Sequence, residues 1–261
     1  MNPKKYFINQ LMRESLNLDL KTLTKREVLE KYDLGFLENP SFGGWSIERD
    51  LCQFIGKFCE TYRPSRVLEF GTGLSTLILA NEVSKQHVGE VFSIDHIKDF
   101  QNQTKTTLEK RFQNHLVHFH HFPLSLTYEG GKLFYFYKVS HDFLSKNGPF
   151  DLVLVDGPPG FYKSREAALY KIYPYLSREA LIVLDDAKRN LEQTCLENWK
   201  WYFGNSIQDV LQYPHFKKGL ACVSFNSSLS RGRSFSLKER FHSSLKGIRF
   251  TLLRSLRRRN S

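Results

Sequence analysis

Short apolar runs alternate with segments of helical length through the middle of the chain, and this pattern constrains the fold more than any other feature. The runs lie at 67–70, 91–94, 116–119, 152–155 and 181–184. Near-continuous apolar strands that alternate with helices predict a mainly parallel sheet with both faces covered. Two further candidate strands, 207–213 and 220–225, are joined by the short link PHFKKG. They predict an antiparallel pair, because a parallel crossover needs about a dozen or more residues.

The predicted architecture is an α/β, doubly wound, Rossmann-like sheet of seven strands, of which five are parallel and two form the C-terminal antiparallel pair. The helix that leads into the first strand is expected to begin at Ser46 as its N-cap and to end near Tyr62. The parts of the chain are a helical extension at 1–45, a core domain at 46–228 with an inserted lid or hairpin at 123–146, and a basic amphipathic tail at 229–261.

Composition favours one main domain in a cytoplasmic protein. A chain of 261 residues that is 41% hydrophobic can bury one good-sized core. No stretch approaches the roughly 20 apolar residues that a membrane-spanning helix needs, and the N-terminus turns polar too soon for a secretory signal. The four cysteines form no C-x-x-C pair, so they are expected to be reduced core thiols.

Most of the net charge of +11 comes from the C-terminal tail. Residues 231–261 contain eight Arg and two Lys against one Glu, so the body of the protein is nearly neutral and nucleic acid is the weaker candidate partner. Apolar residues recur in this tail at helical spacing, at Phe241, Leu245, Ile248, Leu252 and Leu256. The pattern predicts a helix that lies peripherally on an anionic membrane, or one that packs back on the domain.

The ends of the first two strands carry a ligand-binding pattern, because ligands of doubly wound sheets bind outside the carboxyl ends of the strands. The first strand runs into the segment EFGTG (69–73), and the second ends in Asp95. A dinucleotide fingerprint would place a third glycine at Thr76, where this chain has none. Glu69 suits a ligand with an amino group and a sulfonium, and Asp95 is placed to bind two ribose hydroxyls. The pattern indicates a nucleoside without a phosphate, for which S-adenosylmethionine is the common cofactor.

Acids also follow the fourth and fifth strands. Asp156 comes directly after the fourth apolar run, and Asp185 and Asp186 end the fifth. Because these strands are neighbours, the three carboxylates are expected to converge and to share a proton or a cation. Oxygen ligands of this kind favour a hard ion such as magnesium. The alternative is that Asp186 caps the next helix and Asp156 orders the cofactor loop. Lys163 and Arg165 would clamp an anionic substrate group or lie at a solvated helix start.

From about residue 46 to 225 the sequence resembles the class I S-adenosylmethionine-dependent methyltransferases. VLEFGTGLST resembles their first motif and VFSIDH their second-strand acid. The resemblance implies that Asp95 holds the ribose and that His96 lies by the adenine, while the residues of the first motif line the methionine end. For Ser75 and Thr76, capping of the following helix is the alternative. The cofactor-binding residues implied in this way are Glu69, Gly71, Thr72, Gly73, Ser75, Thr76, Asp95, His96 and Asp156.

The spacing of the later acids resembles that of the metal-dependent O-methyltransferases of the catechol type and the macrocin type. The resemblance implies that Asp156, Asp185 and Asp186 bind magnesium, and that Lys163 or one carboxylate accepts the proton of the acceptor hydroxyl. Without a metal, Asp156 is the expected general base. The expected activity is O-methylation of a small-molecule or glycan-type acceptor.

Three alternatives stay open on the sequence. DGPPGF (156–161) also resembles the acid- or Asn-Pro-Pro-aromatic motif of amino-methyltransferases, which would make the protein a nucleic-acid or protein N-methyltransferase. A non-catalytic scaffold of methyltransferase fold is a second alternative, and aminopropyl transfer on the same fold is a third.

Overall fold

The computed structural model of the protein describes residues 32–37, 40–86, 89–112, 116–159, 164–229 and 235–236. Most of the predicted N-terminal extension, the candidate base Lys163 and the tail from residue 237 onward lie outside the described residues. The described residues between 32 and 45 form turns and irregular segments rather than helix, and Gly43 and Gly44 take positive φ angles of 83° and 63° there.

Nine strands and six α-helices are present in the described part of the chain. The strands are β1 (Arg66–Phe70), β2 (Glu90–Asp95), β3 (Val117–His121), β4 (Leu124–Glu129), β5 (Lys132–Tyr137), β6 (Phe150–Val155), β7 (Leu176–Asp185), β8 (Ile207–Tyr213) and β9 (Leu220–Asn226). The helices are α1 (Arg49–Tyr62), α2 (Leu74–Gln86), α3 (Lys98–Arg111), α4 (His141–Asn147), α5 (Ala167–Ile172) and α6 (Asn190–Phe203). A 3-10 turn, Ser164–Glu166, precedes α5.

Seven strands form the central sheet in the order β3-β2-β1-β6-β7-β9-β8. The first five are parallel, and β9 is antiparallel to both of its neighbours, which confirms the predicted sheet. The chain lays down β1, β2 and β3 in one direction and then returns to place β6 on the other side of β1. The carboxyl ends of β1 and β6 therefore flank the topological switch point, where ligands bind in sheets of this kind.

Apolar side chains cover both faces of this sheet. Phe58 of α1 and Ile78 of α2 are buried on one face, and Phe134 of β5 and Trp199 of α6 are buried on the other. All four cysteines are buried free thiols, as the sequence predicts. Among the described residues, no helix is both long and apolar enough to cross a membrane.

The inserted segment forms a two-stranded antiparallel hairpin, β4–β5, with a turn at Gly130 and Gly131. It is a part of the core rather than a lid, because Phe134 and Phe136 are fully buried in the same cluster as the sheet. Two buried ion pairs fasten it to the following elements. Lys132 lies 3.4 Å from Glu166, and Glu129 lies 2.9 Å from Lys171.

Helix α1 begins three residues later than the predicted N-cap, so the prediction for Ser46 is wrong. Glu48 occupies the N-cap position, and its side chain makes no capping hydrogen bond. Two acids at the start of α1, Glu48 and Asp50, bind the β8–β9 turn. The Asp50 carboxylate accepts a hydrogen bond from the Lys217 amide at 2.6 Å, and Glu48 pairs with the Lys217 ammonium at 3.0 Å.

Candidate functional site

The chain bends sharply after β1, and the bend requires glycine. Gly71 has a φ of 104°, and its amide donates to the Ile94 carbonyl at 2.8 Å. A Cβ atom at Gly71 would lie 3.1 Å from the Gly157 nitrogen. The amides of Asp156 and Gly157 both donate to the Phe70 carbonyl, at 3.0 and 2.7 Å. The bend and the loop after β6 are therefore in backbone contact, and together they form the floor of a cavity.

Glu69 lies behind this floor rather than on the cavity wall where the sequence places it. It is fully buried, and its Oε2 atom accepts hydrogen bonds from the hydroxyls of Thr76 (2.5 Å) and Ser93 (2.6 Å). Burial raises the pKa of Glu69 to about 7, and hydrogen bonds from Ser75, Ser93 and Thr76 act against that rise. Thr76 also accepts a hydrogen bond from the Gly73 amide at 2.9 Å. Glu69 and Thr76 therefore hold the shape of the bend from below.

Asp95 stands on the cavity wall at the end of β2. Its two carboxylate oxygens accept hydrogen bonds from the amides of Thr72 (2.9 Å) and Ile97 (2.7 Å), and His96 Nδ1 lies 3.3 Å from Oδ1. Each carboxylate oxygen has a second lone pair that remains available to a ligand. The position and the fixed orientation of Asp95 thus suit the two hydroxyls of a ribose.

The cavity has a volume of about 500 Å³ and lies over the carboxyl ends of β1, β2, β6 and β7. It brings together six of the twelve predicted site residues, which are Gly71, Thr72, Asp95, His96, Asp156 and Asp186. A second cavity of about 280 Å³ shares its wall and reaches the start of α2, where Gly73 and Ser75 line it. This position at a helix N-terminus suits an anionic group such as a carboxylate.

The main cavity is lined by three aromatic side chains that the sequence analysis did not identify. Trp45 is 79% exposed and Phe100 is 46% exposed, and both border the two cavities. Tyr137, the last residue of β5, stacks on Phe70 with a centroid distance of 5.6 Å. A Cβ atom at Gly157 would collide with its hydroxyl oxygen. No local signal marks Tyr137, because it reaches the site only through the packing of the inserted hairpin.

The acids at the ends of β6 and β7 converge as predicted. One carboxylate oxygen each from Asp156, Asp185 and Asp186 lies within 4.8 Å of the others. Asp185 Oδ2 and Asp186 Oδ1 are buried and have no hydrogen-bond partner. Asp186 also takes a positive φ of 58°, an uncommon backbone conformation for a residue other than glycine. The cluster thus offers unpaired carboxylate oxygens beside the cavity.

A family model described as a methyltransferase domain matches residues 68–187, the segment that holds all of these acids. This segment of the chain is a methyltransferase domain. Three solved structures share its fold with a TM-score of 0.50. No match is found among curated protein sequences.

These three structures are distant from the methyltransferase in sequence. SAH-bound PaMTH1 from Podospora anserina is 16% identical and covers 70% of this chain and 80% of its own. The O-methyltransferase TomG from Streptomyces achromogenes, involved in tomaymycin synthesis and solved with SAM, is 14% identical and covers 70% and 82%. Cofactor-bound Rv0187 from MTB is 17% identical and covers 73% and 83%. At these identities, the comparisons establish the shared fold.

Arg165 has surroundings in the methyltransferase site that differ from both of those that its sequence suggested. It is only 5% exposed, although the sequence suggested a solvated helix start or a substrate clamp. Its Nη2 atom lies 3.3 Å from Asp156 Oδ1, and its Nη1 atom lies 2.9 Å from Asp186 Oδ2. Nη1 also donates to the Asp185 carbonyl at 3.0 Å. The available signal was the predicted convergence of three acids, which repel one another unless a proton or a cation is shared among them.

The charges of this cluster do not balance. Besides the three aspartates, Glu192 Oε1 lies 3.6 Å from Arg165, and Arg189 pairs with Asp186 at 2.9 Å. Four carboxylates thus face two guanidinium groups and the more distant Lys218 ammonium, so negative charge is in excess and can be offset by a cation or by protons. Burial raises the pKa of Asp156, which Arg165 opposes, and burial together with Asp156 and Asp186 raises the pKa of Asp185.

Proposed function

We propose that the protein transfers the methyl group of S-adenosylmethionine to an oxygen of a small-molecule or sugar-containing acceptor. The observation that carries the proposal is the carboxylate cluster of Asp156, Asp185 and Asp186 at the cavity that also contains the cofactor-type bend. A hydroxyl acceptor must lose a proton during methyl transfer, and a carboxylate at the cavity wall can receive it.

Asp95 is placed to bind the ribose of the cofactor, and His96 follows it on the cavity wall. The glycine bend and the start of α2 border the smaller cavity, which suits the amino-acid end of the cofactor. A cofactor bound in this way would carry its methyl group near the ends of β6 and β7, where Asp156 lines both cavities.

The transfer is an in-line displacement at the methyl carbon. A bond from the acceptor oxygen to this carbon forms as the carbon–sulfur bond breaks, and the acceptor proton passes to Asp156. The products are the methyl ether and S-adenosylhomocysteine. Much of the rate would come from holding the two reactants at about 3–3.5 Å in line, which the rigid floor between Gly71 and Gly157 supports.

Asp156, Asp185 and Asp186 also fit a magnesium ion. They are oxygen ligands grouped within 4.8 Å, two of their buried oxygens are unpaired, and the cluster has an excess of negative charge that a cation would offset. We propose that these three residues would hold the ion. A bound magnesium ion orients the acceptor oxygens and lowers the pKa of an acceptor hydroxyl.

A calorimetric titration of the purified full chain tests the proposed function. We expect S-adenosylhomocysteine to bind with a stoichiometry of one and NAD to bind at least about a hundredfold more weakly, a difference of roughly 2.7 kcal/mol. The physical reason is that Asp95 suits a ribose while the site lacks the third glycine of a pyrophosphate-binding turn. Tighter binding of NAD would contradict the proposed function.

Most of the basic tail at 229–261 lies outside the described residues, and its sequence supports peripheral membrane contact. We propose that its apolar stripe enters the interface of an anionic membrane while its arginines bind the headgroups. The acceptor would then be a lipid-linked or envelope glycan precursor brought close by the tail.

Flotation with vesicles tests the membrane proposal. We expect the full chain to float with vesicles rich in phosphatidylglycerol and a chain ending at Ser236 to stay at the bottom of the gradient. The shortened chain keeps Phe235, because this residue is buried and stacks on Trp201. The Lys132 ammonium nitrogen also lies 3.7 Å from the centroid of the Phe235 ring. Neutral vesicles serve as the control. If both chains float equally, the tail does not mediate the contact.

A further inference from the structure

Arg165 joins four separate elements at one buried point. It lies in the 3-10 turn before α5, and its guanidinium reaches Asp156 after β6, Asp186 after β7 and Glu192 in α6. The hydrogen bond to the Asp185 carbonyl adds a backbone contact at the end of β7. A guanidinium is planar and donates along fixed directions, so each contact restricts the others.

The contacts of Arg165 use one oxygen of each clamped aspartate and leave the second oxygen of Asp186 without a partner. Arg165 binds Asp156 through Oδ1 and Asp186 through Oδ2. Asp186 Oδ1 and the neighbouring Asp185 Oδ2 are both buried and have no hydrogen-bond partner. Because a carboxylate group is planar, holding one of its oxygens in place also sets the direction of the second. The guanidinium thus restricts the direction in which Asp186 Oδ1 points.

We propose that Arg165 is a positioning residue that orients Asp156 and Asp186 for binding of a divalent cation. It would act through the two carboxylates, and it does not contact the cation itself. The inference rests on the proposed magnesium site, and it assigns to Arg165 a role that neither a substrate clamp nor a solvated helix start would have. Residues that hold metal ligands in this way contribute about 10-fold to 100-fold to metal affinity.

A different role for Arg165 would be that of a simple counter-charge. In that case, any cation at this position would balance the carboxylates equally well, and removal of the charge would strengthen the binding of a metal ion. In the positioning role, the geometry of the guanidinium is essential, because only a planar fork reaches both aspartates at once. Lysine in place of Arg165 separates the two roles, since it keeps the charge and loses the fork.

The test measures the affinity of the full chain for Mn²⁺, used as the probe for the cation, by electron paramagnetic resonance of the free ion. We expect wild type to bind one Mn²⁺ and both Arg165→Lys and Arg165→Met to bind it at least about tenfold more weakly. Arg189→Lys is the matched control. Arg189 contacts the same Asp186 oxygen but is 51% exposed, so we expect its replacement to weaken binding less than about threefold.

Calorimetry with S-adenosylhomocysteine on the same preparations shows whether each variant keeps its fold. If Arg165→Lys does not fold, Glu192→Gln takes its place, because Glu192 contacts Arg165 and is not one of the three cation ligands. We expect this variant to weaken Mn²⁺ binding by about threefold to tenfold. A folded Glu192→Gln variant with wild-type Mn²⁺ affinity would overturn the proposal.

Three other results would also overturn it: wild-type affinity in Arg165→Lys, tighter Mn²⁺ binding in Arg165→Met, and no Mn²⁺ binding by the wild type. The last result would remove the magnesium site as well but would leave methyl transfer standing, because the binding of S-adenosylhomocysteine is measured separately. Loss of S-adenosylhomocysteine binding by the wild type would instead contradict the proposed function.

Discussion

Replacement of Asp156 by asparagine is expected to lower the rate of methyl transfer by about 100-fold or more. The asparagine side chain has nearly the same size, but its amide group cannot accept the proton of the acceptor hydroxyl at neutral pH. The backbone contacts of residue 156 are unchanged, so the floor of the cavity should keep its shape. The measurement is the release of S-adenosylhomocysteine with the best acceptor from a panel of catechols and glycosides.

The affinity for S-adenosylhomocysteine distinguishes loss of chemistry from loss of the site. We expect it to change less than about threefold in Asp156→Asn, equivalent to about 0.7 kcal/mol. Asp99→Asn is the matched control, because Asp99 is exposed at the start of α3 and lines neither cavity. A wild-type rate in Asp156→Asn would exclude Asp156 as the proton acceptor.

The parts of the site that the sequence predicted are those that depend on local patterns. An apolar run determines where a parallel strand ends, so the positions of Asp95, Asp156 and Asp185 at strand ends follow from the sequence. The turn at Gly71 follows in the same way, since its positive φ favours glycine. The convergence of the acids then needs only the assumption that their strands are neighbours.

The residues that the sequence did not place correctly depend on contacts between distant segments. Glu69 was expected on the cavity wall, but Ser93 lies opposite it in the register of β1 and β2, and the hydroxyl of Ser93 draws the carboxylate inward. Arg165 is buried because carboxylates from three other elements surround it. Tyr137 reaches the cavity through the packing of a hairpin whose depth the sequence did not reveal.

The second large effect is expected at Asp95. Replacement of Asp95 by alanine should weaken the binding of S-adenosylhomocysteine by about 1.5–3 kcal/mol, which corresponds to roughly 10-fold to 150-fold in Kd. The carboxylate is held by the amides of Thr72 and Ile97 and is the acid of the cavity wall at the end of β2. Calorimetry measures the change, with Asp99→Ala as the control for the loss of one negative charge.

Asp95→Ala also removes the acceptor of the two amide hydrogen bonds, and these bonds support the bend after β1. The role in ribose binding is isolated by comparing adenosine with 2′,3′-dideoxyadenosine in wild type and variant, which forms a double-mutant cycle between protein and ligand. If Asp95 binds the ribose, the wild type prefers adenosine and Asp95→Ala binds the two nucleosides equally. If the variant keeps the full preference, Asp95 only supports the bend, and the ribose is held by another group of the cavity.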